Sequence, residues 1–270
     1  MTISDTAVDR WLTCPSPRPA ARARLFCLPH AGAGASAYNG WPEKLAEHTD
    51  VEVIPVRPPG RESRLAELPR LDPSELTDAL ERRLDRPYAL FGHSVGARLA
   101  FEVVRELRRR GLPEPVFLGA SACPAPQLPV ESPEDSTLSD DAFLDRVASI
   151  GGMPAHVLTD PEVRELVLPA LRADFDYVDT YRYEPESPLR VLLHAFGGDD
   201  DPEARPDQIQ AWQSQTVGPF RCTILRGDHF FVTEQRDAVI RQVAESLESA
   251  FDASLSIAGD ADSTLDGHRS

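Results

Sequence analysis

The sequence predicts an α/β fold in which a mostly parallel central sheet carries helices on both faces and a helical lid insertion. Along most of the 270 residues, short apolar runs alternate with amphipathic helical patterns. Such alternation is typical of a parallel sheet that is covered on both sides. The alternation stops at residues 124–188, which are rich in proline and have no strand pattern. We therefore expect a helical insertion between two core strands.

Six segments predict the strands of this sheet. Each is a short apolar run bounded by turn residues, which is the pattern of a buried strand. In chain order they are residues 23–30, 51–60, 88–93, 115–122, 189–198 and 220–227.

Helical patterns separate these strands. Residues 71–85 predict a helix that is entered through Asp72 and Pro73, a typical helix start. Residues 95–110 carry an apolar stripe along one face and end in arginines, which complement the negative end of a helix. Two further helices are predicted at residues 207–215 and 233–251.

The length suits one domain, which we place at residues 1–253 with the lid insertion at about 124–188. Within the insertion, residues 139–152 predict a capped helix that ends at a glycine pair. Residues 159–185 predict two more helices, divided or kinked at Pro169. Residues 254–270 are small, polar and acidic, and we expect a disordered C-terminal tail there.

Composition restricts the partners. A net charge of −16 argues against nucleic acid and anionic membranes as partners. No apolar run is long enough to cross a bilayer, and the N-terminus lacks the basic start and apolar stretch of a signal peptide, so we expect a cytoplasmic protein. The four cysteines have no metal-binding spacing, and we expect free thiols and no metal or cofactor.

The segment Gly92–His93–Ser94–Val95–Gly96 is the strongest catalytic signal. It lies between a predicted strand and a predicted helix, as a nucleophile on a tight strand-to-helix turn requires. Small flanking residues permit the turn, and the helix N-terminus directs free N–H groups towards developing negative charge. The alternative is an ordinary loop serine, and we favour the nucleophile.

A serine nucleophile needs a general base and a carboxylate that orients the base. On such a sheet these follow in the order Ser, acid, His, each after a later strand. His229 directly follows the last predicted strand and is the best candidate for the base. Asp199, Asp200 and Asp201 follow the preceding strand, and their spacing does not distinguish between them.

Two backbone N–H groups should stabilise the oxyanion. One belongs to Val95, the residue after the nucleophile. The other should come from the glycine-rich loop at residues 29–36, where His30 and the amide of Ala31 are the candidates. Nucleotide binding by this loop is disfavoured, because the third glycine of a dinucleotide motif and a phosphate-binding lysine are both missing.

With these motifs placed, residues 23–250 resemble the α/β-hydrolases, and more narrowly the type II editing thioesterases of polyketide and non-ribosomal peptide synthases. The motifs that carry the resemblance are "LFCLPHAGAGASAYNGW" (25–41), "RPPGRESR" (57–64), "FGHSVGA" (91–97), "GGDDDP" (197–202) and "GDHFF" (227–231). The family pattern implies Asp200 as the triad carboxylate, beside Ser94 and His229. It implies Ala31 and Val95 as the oxyanion-hole amides.

The resemblance also implies a substrate and a partner. The substrate would be an acyl group held as a thioester on the phosphopantetheine arm of an acyl carrier domain, bound in trans, and the role would be removal of aberrant units. A general carboxylesterase or lipase, an acyltransferase or cyclase, and a non-catalytic protein that binds carrier domains are the alternatives. We expect a monomer.

Overall fold

The computed structural model describes residues 8–132, 134–151, 157 and 160–265. Six strands form one sheet in the order β2-β1-β3-β4-β5-β6, and every neighbouring pair is parallel. All six predicted strands are present. They are β1 (Ala23–Leu28), β2 (Val51–Pro55), β3 (Tyr88–His93), β4 (Phe117–Ser121), β5 (Leu192–Gly198) and β6 (Phe220–Leu225).

Helices lie on both faces of the sheet, as predicted. The helices are α1 (Val8–Trp11), α2 (Trp41–Leu45), α3 (Pro73–Glu81), α4 (Val95–Arg109), α5 (Asp140–Ile150), α6 (Pro161–Asp179), α7 (Pro206–Gln210), α8 (Phe231–Glu234) and α9 (Arg236–Leu265). Short 3₁₀ turns occur at Ala35–Tyr38, Glu62–Arg64, Asp135–Thr137 and Ala211–Gln215.

Alternation along the strands builds two apolar layers. In β1, Phe26 packs in the same cluster as α3 and α4, whereas Leu25 and Cys27 pack in the cluster that contains α2 and α9. This follows from the two-residue period of a strand, which directs successive side chains to opposite faces. The sheet is therefore fixed from both sides, and the carboxyl ends of its strands are held at one edge.

The insertion between β4 and β5 is helical in the part that the structure describes. Helix α5 starts after Ser139, whose hydroxyl accepts from the Ala142 N–H, and ends before Gly151 at a φ of 101°. Helix α6 differs from the prediction because it is one helix that continues through Pro169. An interior proline costs a helix one hydrogen bond, and the buried residues Leu171 and Asp174 anchor the turn that follows it.

The C-terminal end also differs from the prediction. The sequence predicts a helix that ends near residue 251, whereas α9 extends to Leu265. Residues 254–265 contain no proline, so every residue of this stretch can supply the backbone N–H that a helix uses. Residues 266–270 of the predicted tail lie outside the described part. No helix within the described ranges has the length and apolarity that a membrane crossing requires.

Candidate active site

Ser94 lies on the tight turn between β3 and α4. Its backbone has φ 57° and ψ −125°, which is a strained conformation for a residue with a side chain. The Ser94 N–H donates to the carbonyl of Ser121 at the end of β4, at 2.7 Å. The neighbouring strand thus holds the turn in place.

The two flanking glycines make this turn possible. A Cβ added at Gly92 would lie 2.2 Å from the carbonyl oxygen of Gly96, and one added at Gly96 would lie 2.4 Å from the carbonyl oxygen of Leu28. Both distances are far below van der Waals contact with rigid backbone atoms. The pattern Gly-x-Ser-x-Gly therefore reflects the close approach of α4 to strands β1 and β3.

His229 follows β6 and reaches Ser94. Its Nε2 lies 3.0 Å from Ser94 Oγ, and its side chain is 7% exposed. The turn that carries it is fixed locally, because Asp228 Oδ1 accepts from the Phe230 N–H at 2.7 Å. The structure thus brings the predicted nucleophile and base within hydrogen-bond distance.

The carboxylate at the imidazole is Asp201, and the prediction of Asp200 is wrong on this point. Asp201 Oδ2 and Oδ1 lie 2.9 and 3.1 Å from His229 Nδ1, and the Asp201 side chain is fully buried. Asp200 is exposed, and its N–H donates to the Gly227 carbonyl at 3.1 Å. Asp199 Oδ1 accepts from the Gly227 N–H at 2.9 Å, so this carboxylate fixes the turn before His229.

Loop geometry explains why Asp201 points inward. Its Oδ1 also accepts from the N–H groups of Glu203 and Ala204, at 2.9 and 3.3 Å. Such a turn stabilised by an Asp side chain is local, and it folds the loop around the Asp201 carboxylate. Which of the three adjacent aspartates contacts His229 depends only on the path of the chain after β5. The motif pattern alone therefore did not identify the triad carboxylate.

The two predicted oxyanion-hole residues lie beside Ser94. Ala31 and Val95 both line the same cleft as Ser94 and His229. Among the hydrogen bonds of the described residues, neither the Ala31 nor the Val95 N–H has a protein acceptor. Val95 is the first residue of α4, where the helix dipole favours negative charge. Two free donors at this position suit a developing oxyanion.

Neighbouring histidines are held neutral by burial. Burial lowers the pKa of His30 to about 4, and it lowers the pKa of His93 well below its usual range. His93 lies on the wall of the turn, with Nδ1 2.9 Å from Ser121 Oγ and its ring centroid 5.5 Å from that of His229. These rings therefore place no positive charge beside His229 near neutral pH.

The cleft above Ser94 has a volume of about 190 Å³. The sheet supplies its floor, and the insertion supplies its cover. Ile150 of α5 and Phe175 and Val178 of α6 contribute apolar surface from the insertion. Arg146 of α5 reaches the loop that carries Asp201 (residues 199–204, the acid loop) and pairs with Glu203 at 2.6 Å. The lid predicted at residues 124–188 thus contributes lining residues to the cleft.

A contact between the lid and the core was not predicted from the sequence. Asp174 of α6 accepts from the Gly32 N–H at 2.8 Å and pairs with Arg61. Arg61 belongs to the "RPPGRESR" motif, to which the sequence assigned no role. The residues are 113 positions apart, so no local pattern could have linked them. No group of three or more potential metal ligands occurs among the described residues.

Comparisons with known proteins agree with this geometry. The model of the thioesterase domain family matches residues 23–247. The gramicidin S biosynthesis protein GrsT of Aneurinibacillus migulanus is 34% identical over 244 residues, which cover 89% of this chain and 94% of that protein. The thioesterase PikA5 of Streptomyces venezuelae is 35% identical over 246 residues, covering 88% and 85% of the two chains.

Two solved structures are also similar. One is RedJ, the thioesterase from the prodiginine pathway in Streptomyces coelicolor, with a TM-score of 0.79 and 38% identity over 87% of this chain and 95% of that one. The other is BorB, the type II thioesterase from the borrelidin cluster, with a TM-score of 0.76 and 36% identity over 92% and 98% of the two chains. The chain is therefore a member of the thioesterase domain family and an α/β-hydrolase that acts on thioesters.

Proposed function

We propose that this thioesterase hydrolyses acyl groups from the phosphopantetheine arm of acyl carrier domains, and so removes aberrant units from a polyketide or non-ribosomal peptide synthase. The observation that carries the proposal is the continuous chain Ser94–His229–Asp201, with contacts of 3.0 and 2.9 Å. The relatives support the substrate class: a type II thioesterase from the yersiniabactin NRPS/PKS pathway is 31% identical over 89% of this chain. Binding of the carrier in trans, by a monomer in the cytoplasm, is part of the same proposal.

In the first half of the reaction, Ser94 Oγ attacks the thioester carbonyl carbon while His229 Nε2 takes its proton. The Oγ–C bond forms, and the carbonyl π electrons move to the oxygen, which the Ala31 and Val95 N–H groups stabilise. When the C–S bond breaks, the phosphopantetheine sulfur leaves with the proton from His229. A thiol has a pKa of about 8.5 and is a good leaving group, so this step needs little acid assistance.

In the second half, His229 takes a proton from water, and the hydroxide oxygen attacks the acyl-serine carbon. Collapse of that intermediate breaks the C–Oγ bond, returns a proton to Ser94 and releases the carboxylic acid. Asp201 holds Nδ1 as the donor, so that Nε2 is free to accept, and it stabilises the imidazolium in both halves. The acyl chain would occupy the cleft under α5 and α6.

The test is hydrolysis of acyl groups loaded on a phosphopantetheinylated carrier domain, measured beside hydrolysis of p-nitrophenyl esters. We expect the wild type to clear the carrier and Ser94→Ala to be inactive. Ser187→Ala is the control serine, because Ser187 is exposed and does not line the cleft, and its loss should leave turnover within about twofold of the wild type. Cleavage of simple esters with no activity on the loaded carrier would contradict the proposed substrate.

A further inference from the structure

The loop that carries Ala31 is a tight turn whose central peptide is held at both ends. The His30 carbonyl accepts from the Ala33 N–H at 3.1 Å, and Gly32 has a φ of 73°, as in a type II turn. On one side, His30 Nδ1 donates to the Ala31 carbonyl at 3.1 Å. On the other, the Gly32 N–H donates to Asp174 Oδ2 at 2.8 Å. These two bonds fix the orientation of the Ala31–Gly32 peptide.

Asp174 belongs to the lid and not to the loop that it holds. Its side chain is 1% exposed on α6, and its carboxylate forms a two-pronged pair with Arg61, at 2.6 and 2.9 Å. Arg61 is 5% exposed. It also donates to the carbonyls of Ala33 and Pro59, both at 3.2 Å. A buried pair with planar two-point geometry is strongly directional.

Lid helix α6 also packs tightly against the turn at Gly32. A Cβ at Gly32 would lie 2.6 Å from Leu171 Cδ2 of α6. The same residue therefore meets the lid through its N–H, which binds Asp174, and through its Cα, which packs against Leu171. If α6 moved away, the Gly32 N–H would lose its acceptor and the central peptide would be free to rotate.

We propose that Asp174 and Arg61 are positioning residues for the oxyanion hole, which set the Ala31 amide only while lid helix α6 is docked. The proposal rests on the proposed function, because it takes the Ala31 N–H as an oxyanion donor. The His30–Ala31 peptide, which carries this N–H, shares the Ala31 Cα with the Ala31–Gly32 peptide, so it keeps a fixed direction only while the turn itself is held. Docking of the lid and stabilisation of the transition state are thereby coupled.

The test compares two inhibitors on Asp174→Asn. The first is a trifluoromethyl ketone analogue of a short acyl pantetheine thioester. Ser94 Oγ adds to its carbonyl carbon, the π electrons form an oxyanion, and the Ser94 proton moves to His229. The second is the corresponding thioether, which has no carbonyl and forms no oxyanion. In Asp174→Asn an amide NH₂ takes the place of one oxygen that accepts from Arg61, so the two-pronged pair breaks and the side chain shifts from the Gly32 N–H. We expect this variant to bind the ketone about tenfold or more weakly and to lose about tenfold or more in kcat/KM, because a displaced donor stabilises the oxyanion poorly.

The thioether should bind within about twofold of its affinity for the wild type, since the lid retains its other contacts. Asp140→Asn is the matched control. Asp140 lies on α5 and pairs with Arg172 of α6 at 2.6 Å. The substitution therefore removes an ion pair of the lid helix α6 that does not involve the loop of Ala31. We expect Asp140→Asn to leave the affinity for both inhibitors unchanged. Equal losses for both inhibitors on Asp174→Asn would overturn the proposal, because Asp174 would then only hold the lid closed. Unchanged binding of both would overturn it as well.

Two further variants keep the proposal testable if Asp174→Asn does not fold, which a thermal melt will show. Leu171→Ala removes lid packing on Gly32 without leaving a buried charge. Arg61→Lys keeps the charge but cannot bridge both Asp174 oxygens and the Ala33 carbonyl. Each should weaken the ketone more than the thioether, and equal effects would overturn the proposal. If the ketone does not inhibit the wild type, the assignment of Ser94 and the oxyanion hole fails, and this proposal fails with it.

Discussion

The sheet and the lid enclose one cleft, but different forces hold them. The sheet lies between two large apolar clusters that include fully buried residues such as Phe26 and Phe91. Lid residues such as Tyr177 and Tyr183 pack against the first of these clusters, and the described part of the lid has one small cluster of its own, built on Phe143, Leu144, Val147 and Leu171. Ion pairs supply much of the remaining lid contact, from the buried Arg61–Asp174 pair to exposed pairs such as Arg172–Asp140. The reactive groups are thus fixed by packing on both faces of the sheet, whereas the lid is held by fewer apolar contacts together with ion pairs.

The largest expected effect is that of a substitution at a strand end, and it tests whether catalysis depends on groups that the sheet positions. Asp201→Asn should lower kcat by about 10³- to 10⁴-fold, because the imidazole loses the carboxylate that fixes its tautomer and stabilises its charged form. The asparagine oxygen can still accept from the Glu203 N–H, so the loop should keep its shape. The measurement is steady-state hydrolysis of acyl-carrier substrate, with hydrogen exchange of α5 and α6 as a check that the lid is unchanged.

The control for this prediction is Asp200→Asn. Asp200 is exposed beside the same strand end, and its substitution should leave kcat within about twofold, as expected for a surface position. A larger loss at Asp200 than at Asp201 would contradict the geometry of the acid loop and restore the assignment from the family pattern.

A smaller effect, on the free energy of unfolding, distinguishes packing against the sheet from packing within the lid. Phe101→Ala removes a fully enclosed ring that packs edge-on against Trp212, at a centroid distance of 5.5 Å. It should lower the free energy of unfolding by about 3–5 kcal/mol. Phe143→Ala removes an equally buried ring from the lid. It should lower the free energy of global unfolding by only a fraction of that amount, because the lid can open before the sheet unfolds.

Urea unfolding of both Phe variants, followed by tryptophan fluorescence, measures these differences. Limited proteolysis of Phe143→Ala should show faster cleavage within residues 134–188. An equal loss of global stability in the two variants would mean that sheet and lid unfold as one unit.

The smallest expected effect is that of salt. The pairs Arg172–Asp140 and Arg164–Asp141 have aspartates that are 65% and 85% exposed, and each such pair stabilises by about 0.2–1 kcal/mol. Raising NaCl from 0.1 to 1 M shortens the screening length from about 10 to about 3 Å. Amides of α5 and α6 should therefore exchange a few-fold faster, and those of β1 and β3 should not change. Equal acceleration in both regions would remove the distinction between packing and charge.

The same contrast explains what the sequence could predict. Ser94 and His229 follow strands directly, so strand prediction places them, and the glycines around Ser94 mark a turn that only one geometry satisfies. The lid-to-core pair Arg61–Asp174 depends on how two distant segments dock, and such contacts leave no periodic signal. The triad carboxylate was missed for a different reason. Asp199, Asp200 and Asp201 are chemically identical, and only the direction of the chain after β5 assigns their roles.

The double use of the Asp201 carboxylate has a practical consequence. One oxygen accepts from His229 Nδ1 and from the N–H groups of Glu203 and Ala204. Formation of this loop and orientation of the general base are therefore a single folding event. A molecule in which residues 199–204 are misfolded has no oriented base and cannot turn over substrate. The specific activity of a preparation therefore cannot exceed the fraction of molecules with a correctly folded acid loop, and turnover after dilution from urea recovers no faster than this loop folds.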